Sequence, residues 1–427
     1  MSELLVAARG IHFAATVLVA GVAFFRFFIA EPAIAATANP AISRLRTNWK
    51  LTIWIALAVA ILSAAAWFVL LAANIYGESI FDVYAKGGFW TVASDTRFGR
   101  IWCARLVLAL ILGLITLRAG AANRFWNFTA VILAAVLLAS LAWVGHAGGT
   151  PGTDGEIHLT SDVLHLLAAG AWVGGLLPLA MLLASARRTQ DQGWGTIVPA
   201  AVNRFSVLGI LSVGTLLMTG IINTRYLVVT IANLFGTDYG RLVVLKIFLL
   251  LAMVGIASVN KFYLTPRLAS VGATRQLQRN SLIETAFGVI ALLTVGLLGT
   301  MPPGGHVHDT HAAYAPVAAG AAFVHIHSAE GMADVTIAPG RTGTSHATIR
   351  LWHEDLTELA VRAVTLSIAA PAAGSKPIVR PAKQSADGSW EIDGIRLQVP
   401  GNWTVLIDAQ LVPNGRLELD APIVIEP

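Results

Sequence analysis

Apolar residues are concentrated in eight long segments within the first 300 or so residues of the chain. These segments fall at roughly 4–29, 50–73, 101–118, 127–145, 160–184, 205–231, 241–264 and 281–301. A helix needs about 20 apolar residues to cross the hydrocarbon core of a bilayer. The pattern therefore predicts eight transmembrane helices, and Pro302 and Pro303 end the last of them.

The hydrophobic period changes after the eighth segment. Short runs such as AFVHIH, HATIRLW and NWTVLIDAQL alternate apolar and polar residues, and turn signals such as ADGSW and VPNG separate them. This pattern is typical of a small all-β, immunoglobulin-like sandwich. The fold class expected is thus a mostly α, polytopic membrane protein. Its parts are an eight-transmembrane-helix bundle at 1–303, a His-containing linker at 304–321 and a periplasmic β-sandwich at 322–427.

The composition and the distribution of charge agree with a membrane protein. Hydrophobic residues make up 56% of the chain and charged residues 12%, against about 25% charged in soluble domains. Lys and Arg collect in the first, third, fifth and seventh connections, whereas the fourth, at 146–160, has none. Basic loops stay in the cytoplasm. We therefore expect a multi-pass protein of a bacterial inner membrane with both termini periplasmic.

Other composition features exclude several partners and sites. The net charge of +5 comes without a basic run interleaved with aromatic residues, so the bilayer and not nucleic acid is the expected partner. The single Cys103 excludes an intramolecular disulfide and any cysteine-based metal motif. The first apolar segment is too long for the core of a signal peptide, so no cleaved leader is expected.

The most unusual polar residues lie in the fifth segment, in the stretch HLTSDVLHLLAAGAW. His158, Asp162 and His165 are spaced i, i+4 and i+7, which places them on one face of a helix. Ionisable groups inside a membrane are costly, and they usually face the bundle interior and have a function. The three residues predict a metal site in which Asp162 is a ligand or orients a histidine. A structural hydrogen-bond network is the alternative.

Further candidate ligands are predicted at the same outer level. His146 ends the fourth segment, His12 lies about two turns into the first, and Arg9 is placed to pair with Asp162. Met301 ends the eighth segment, and more histidines follow it. The full set of candidate metal ligands is His12, His146, His158, Asp162, His165, Met301, His306, His308, His311, His325, His327 and Met332. Imidazole and thioether without thiolate suit copper, as Cu(I) or Cu(II), and zinc is possible by ligand type.

Other polar residues within the segments have structural interpretations. Asn203, Thr219, Asn223 and Asn260 are expected to make hydrogen bonds between helices. Arg105 and Lys246 are expected to extend to the outer membrane surface. Glu284 lies near the cytoplasmic end of the eighth segment and is expected to be structural.

The chain resembles the copper-resistance D family (CopD/PcoD). The resemblance rests on RGIHFAATVLVAG, RFGRIWCARLVLAL, GHA with SDVLHLLAAGAWVGGLLPL, RFSVLGILSVGTLLMTG, YGRLVVLKIFLLLAM and LGTMPP, and it covers about residues 1–303. The tail, with HIHSAEGMADVTIAPGRTG, resembles a YtkA-like domain. The resemblance implies copper import, homeostasis, tolerance or delivery, with family histidines at His12, His146, His158 and His165. Some relatives carry an N-terminal CopC-like domain that does not precede the first segment here, so the resemblance implies that a separate periplasmic carrier of the CopC type, or the HVHDTH linker and the tail, supplies that function.

The leading hypothesis is a copper-binding transport protein without enzymatic activity, although the cytoplasmic half shows no matching chain of ligands. One alternative is a membrane electron carrier that binds haem b through His12 with His146 or His165. Another is periplasmic copper delivery without transport. A copper enzyme is a third alternative without a visible catalytic constellation, and the chain has no nucleophile elbow of a serine hydrolase.

Overall fold

The computed structural model describes eleven stretches of the chain, and structural statements below refer to them. They are 2–34, 40–76, 79–118, 123–145, 152–189, 193–301, 320–328, 331–352, 359–370, 377–412 and 415–426. The chain divides into two compact units, a helical one and a β one, and the division falls within residues 302–319, outside those stretches.

The helical unit contains twelve α-helices within the described residues. They are α1 Ser2–Phe24, α2 Glu31–Ile34, α3 Pro40–Tyr76, α4 Ile80–Ala85, α5 Gly88–Asp95, α6 Arg97–Arg118, α7 Arg124–Ala139, α8 Gly152–Thr189, α9 Trp194–Leu227, α10 Ile231–Gly236, α11 Asp238–Val259 and α12 Val271–Leu298. Two π-helical turns, Phe25–Ala30 and Asn260–Leu264, and 3₁₀ turns at Ser140–Val144 and Thr265–Arg267 extend them. Eight helices are long and apolar enough to span a membrane, namely α1, α3, α6, α7, α8, α9, α11 and α12. This confirms the predicted eight-helix fold class.

Several helices are longer than their apolar segments. The α8 helix begins at Gly152 and α9 at Trp194, about two and three turns before the apolar runs at 160 and 205. A helix satisfies its own backbone hydrogen bonds, so it can continue past the hydrocarbon core into polar surroundings. Asp154 in the first turn of α8 also complements the positive end of the helix dipole. His158 is consequently well inside α8.

The α1 helix is the most buried of the spanning helices and packs against α3, α8 and α12. Glycines allow the closest approaches: a methyl group at Gly21 would lie 2.2 Å from the α-carbon of Gly174 in α8, and one at Gly296 would lie 2.7 Å from the nitrogen of Gly10. Small residues serve this purpose in membranes because apolar burial alone does not drive helices together. By contrast, α9 and α11 bury little of their apolar surface, which leaves it to face lipid.

The β unit is a sandwich of two antiparallel sheets within the described residues, as predicted. Its strands are β1 Ala322–Ser328, β2 Gly331–Ala338, β3 Gly343–Trp352, β4 Val361–Ala369, β5 Ile378–Pro381, β6 Lys383–Gln384, β7 Trp390–Leu397, β8 Gly401–Leu411 and β9 Arg416–Ile425. The sheet orders are β1-β2-β3-β7-β6 and β5-β4-β8-β9. Alternate residues of both sheets, such as Val335, Ile349 and Ile407, form one apolar core around the buried Trp403.

Candidate metal site on the polar face of α8

The polar face of α8 packs against a matching polar face of α9. Asn223 donates from Nδ2 to Oδ1 of Asp162 over 3.3 Å, and Ser161 donates to the carbonyl of Thr219 over 3.2 Å. The ring of His158 stacks on that of Tyr226, with centroids 4.9 Å apart. In α9 these partners also follow the i, i+4, i+7 spacing. The hydrogen bonds expected of Thr219 and Asn223 thus form, and they form with the candidate site itself.

His165 contacts Thr219 of α9 through one nitrogen of its ring. The hydroxyl of Thr219 donates to the carbonyl of Thr215 over 2.6 Å, and it lies 2.9 Å from Nδ1 of His165. A hydroxyl that gives its only proton to Thr215 can act only as an acceptor toward Nδ1, so this geometry favours the tautomer of His165 with its proton on Nδ1. The lone pair of His165 is therefore on Nε2, which accepts no hydrogen bond from a described residue. Metal-binding histidines usually have their second nitrogen held in this way.

Asp162 lies between α9 and Gly145, the residue after the 3₁₀ turn that follows α7. A methyl group at Gly145 would be 3.9 Å from its Oδ2, and His146 follows directly but lies outside the described residues. Lys246 of α11 interacts electrostatically with Asp162. The Oδ1 atom of Asn223 is buried, and no described residue donates to it. The neighbourhood thus contains a carboxylate, an ammonium group and an unused amide oxygen.

His12 lies in a different hydrogen-bond network, although it belongs to the same half of the bundle. Helices α1 and α8 cross at Gly21 and Gly174. Gly21 is nine residues after His12, and Gly174 is nine residues after His165. Because α1 and α8 are the first and fifth spans and run in the same direction, the two histidines lie on the same side of this crossing. The ring of His12 points to α3 and α6, not to α9. Its Nδ1 is 2.9 Å from the carbonyl of Ala60, and its Nε2 is 2.8 Å from Arg105.

Arg105 is buried, which corrects the expectation that it extends to the membrane surface. Its side chain is held by the carbonyl of Leu137 at 2.8 Å and by the hydroxyl of Ser140, besides His12. The sequence did not reveal this, because the partners are on α1, on α7 and in the 3₁₀ turn that follows α7. Arg9 does not pair with Asp162 as predicted: its guanidinium lies 4.6 Å from the centre of the Trp67 ring.

The other predicted ligands have separate surroundings. Met301 packs against Val228, Tyr239 and Leu298. In the β unit, Met332 is buried and its β2 position is paired with His327 of β1, and Asp334 is paired with His325. The side chains of His325 and His327, and all of His146, His306, His308 and His311, lie outside what the structure describes. No three His, Cys, Asp or Glu side chains within the described stretches are placed together to hold a metal ion.

The fold and this polar face define a class: a polytopic helical membrane protein with ionisable side chains between its helices. Comparison with known proteins narrows the class. Residues 1–156 match the model of the copper resistance protein D-like, N-terminal domain, and residues 199–298 match that of copper resistance protein D. The chain belongs to the copper resistance protein D family, and it is a copper-related, multi-pass inner-membrane protein.

Three relatives illustrate the extent of this similarity. Inner membrane protein YebZ of Escherichia coli (strain K12) is 30% identical over 302 residues, which are 70% of this chain and 98% of that protein. Copper transport protein CutJ of Bacillus subtilis (strain 168) is 30% identical over 213 residues, 49% of this chain and 37% of that protein. Copper resistance protein D of Pseudomonas syringae pv. tomato is 27% identical over 221 residues, 50% of this chain and 71% of that protein.

Proposed function

We propose that the protein binds copper ions between α7, α8 and α9 and passes them through the inner membrane for import. One observation supports this more than any other: the hydroxyl of Thr219 lies 2.9 Å from Nδ1 of His165, an arrangement that favours the tautomer with the lone pair on Nε2, where a metal ion can bind. Imidazole nitrogen is a good ligand for copper in both of its common oxidation states. Two relatives are named as copper proteins, one for transport and one for resistance.

The proposed ligand set consists of His165, Asp162 and His146, with His158 beside them. The described residues provide the first two on one helical face, and His146 follows Gly145, which already lies next to Asp162. The copper ion would then bridge α8 and the segment that follows α7. His12 can add to this set only if Arg105 releases its Nε2. Ligation of haem by His12 has the same requirement, so the geometry disfavours the haem alternative.

We propose that this half of the bundle faces the periplasm, with both termini on that side. The distribution of Lys and Arg supports this orientation, because the connection ahead of α8 has no basic residue, whereas the last turn of α8, at its opposite end, contains Arg187 and Arg188. A periplasmic carrier of the CopC type would deliver the ion. The proposed activity is binding and passage, without catalysis.

The experiment is metal analysis of the full chain in lipid nanodiscs, loaded with copper and washed, together with a visible spectrum. We expect stoichiometric copper in the wild type and its loss in a His158→Ala/His165→Ala double variant. The control is His346→Ala, because His346 pairs with Asp393 in the β unit. Copper retained by a folded double variant would overturn the ligand set. Stoichiometric iron together with a Soret band would show that the protein binds haem and not copper.

Copper uptake into liposomes separates transport from delivery. We expect wild-type protein to accelerate copper entry, and the double variant to do so no faster than empty liposomes. Stoichiometric binding without accelerated entry would reject transport and favour periplasmic delivery.

A further inference from the structure

A second polar site lies in the half of the bundle opposite His165. A cavity of about 200 Å³ separates parts of α8, α9, α11 and α12. Apolar side chains such as Trp172, Phe205 and Val254 form most of its wall. Polar side chains converge on it from the π-helical turn after α11 and from α12, namely Asn260, Lys261 and Glu284. Trp172 on the cavity wall is two turns beyond His165 on α8.

Glu284 is the carboxylate of this cavity, and its side chain is hydrogen-bonded to a chain of amides. The residue is 1% exposed, and its Oε1 accepts from Nδ2 of Asn260 at 2.7 Å. Asn260 accepts in turn from Asn280 at 2.6 Å, and Asn280 accepts from Gln276 at 2.8 Å. Every amide donates in the direction of the carboxylate, so the dipoles reinforce one another and favour a negative charge on Glu284.

Burial opposes that negative charge. Glu284 forms no salt bridge with any described residue, and a buried carboxylate without an ion pair is costly to keep charged. Lys261 is the other charged residue on the cavity wall among those described; the linings from α8 and α9 are uncharged, and Arg279 of α12 is exposed. The amide chain therefore favours the deprotonated form of Glu284, whereas burial favours the protonated form.

The backbone at Asn260 is also unusual. The α11 helix changes to a π-helical turn at Asn260–Leu264, whose wider turn places both Asn260 and Lys261 on the cavity wall. Single π-helical turns within α-helices are rare and occur frequently at functional sites. A purely structural carboxylate would not require this change of helix, an amide chain and an adjoining cavity together.

We propose that Glu284 is a proton-exchange site, and that its uptake and release of a proton drive the passage of copper. The proton binds at Oε2 of Glu284, because Asn260 already donates a hydrogen bond to Oε1. The coupling to copper rests on the proposed function, whereas proton binding by Glu284 does not.

Infrared difference spectroscopy tests proton binding without copper. In wild-type nanodiscs taken through a pH titration, we expect a C=O stretch of a protonated carboxyl group that disappears as the pH rises. Glu284→Gln should lack this band, and Glu284→Asp should retain it at a shifted frequency, which guards against a folding defect. Asp162→Asn and Glu31→Gln are matched controls that should keep the Glu284 band. A band unchanged in a folded Glu284→Gln variant overturns the proton site.

Copper uptake under an imposed pH gradient tests the coupling. We expect the wild-type uptake rate to change several-fold with the gradient, and the Glu284→Gln rate to be insensitive to it while equilibrium copper binding stays the same. A gradient dependence that persists in Glu284→Gln overturns the coupling. Absence of any wild-type uptake would overturn the proposed transport function instead, and the infrared result would still decide the proton site.

Discussion

Arg105 of α6 donates a hydrogen bond to Nε2 of His12 in α1, over 2.8 Å, and each residue is only 3% exposed. The other ring nitrogen donates to the carbonyl of Ala60 in α3, so one neutral tautomer satisfies both contacts. The guanidinium also lies 5.1 Å from the centre of the Trp102 ring. His12 thus links α1, α3 and α6 around the buried guanidinium of Arg105. The acceptors of this guanidinium are neutral groups and not a carboxylate.

We expect His12→Ala to lower the free energy of unfolding by about 2–3 kcal/mol, since it leaves a charged donor without its acceptor. His12→Gln should recover part of this loss because its amide oxygen can accept from Arg105. Thermal unfolding in detergent measures both, with His346→Ala as the control. Copper content should stay unchanged in His12→Gln; a loss of copper at an unchanged unfolding midpoint would instead support the prediction that His12 is a ligand.

Thr219→Val removes the oxygen that accepts from Nδ1 of His165 and preserves the shape of the side chain. We expect copper affinity to fall by about 10–100-fold, the usual effect of losing the group that orients a metal-binding histidine. A competition titration with a copper chelator measures the change. Thr215→Val is the matched control one turn away, because among the described residues its hydroxyl donates only to the carbonyl of Leu211 in the same helix. Equal effects of the two substitutions would contradict the orienting role.

Gly174→Ala tests the contact between α1 and α8. A methyl group there would lie 2.3 Å from the carbonyl oxygen of Val17, so the helices must separate. We expect a loss of about 1–3 kcal/mol in the free energy of unfolding. Gly214→Ala in α9 is the control, because nothing lies within 4 Å of its added methyl group, and it should stabilise slightly through helix propensity. Chemical denaturation in detergent would compare them, and the prediction fails if both variants change stability in the same direction.

The β unit should lose a small contribution to stability in acid. Arg416 on β9 donates to both oxygens of Asp408 on β8, and these hydrogen bonds lower the pKa of Asp408 from its usual 3.8. A lowered pKa in the folded state means that the contribution is complete above pH 3.8 and disappears as the pH falls toward the folded-state value. Both side chains are partly exposed, so screening by solvent keeps the contribution of the pair small.

Hydrogen–deuterium exchange of peptides from β8 and β9 checks this. Asp408→Asn should exchange faster than the wild type at neutral pH, and the difference should shrink on acidification below pH 3.8. Because the variant and the wild type are compared at the same pH, the intrinsic pH dependence of amide exchange cancels. A difference that grows in acid would show that the side chain acts in another way.

Properties that depend on residues near one another in the chain were predictable. The eight apolar segments identified the spanning helices, and the two-residue alternation after 322 identified the sandwich, because both are periods of local backbone geometry. Likewise, the i, i+4, i+7 spacing placed His158, Asp162 and His165 on one face. The ends of α8 and α9 were less predictable, because a helix continues into polar surroundings that a hydropathy pattern excludes.

The sequence by itself therefore determined which residues share a helical face, but only the tertiary structure decided what each face meets. It paired α8 with Thr219 and Asn223, turned His12 toward Arg105, and placed Glu284 on a cavity wall. The reason is that lipid tails and neighbouring helices are equally apolar, so hydrophobicity does not specify the partner of a helix in a membrane. Close contacts between small residues, such as Gly21 with Gly174, and a few polar pairs specify it, and both join residues far apart in the chain.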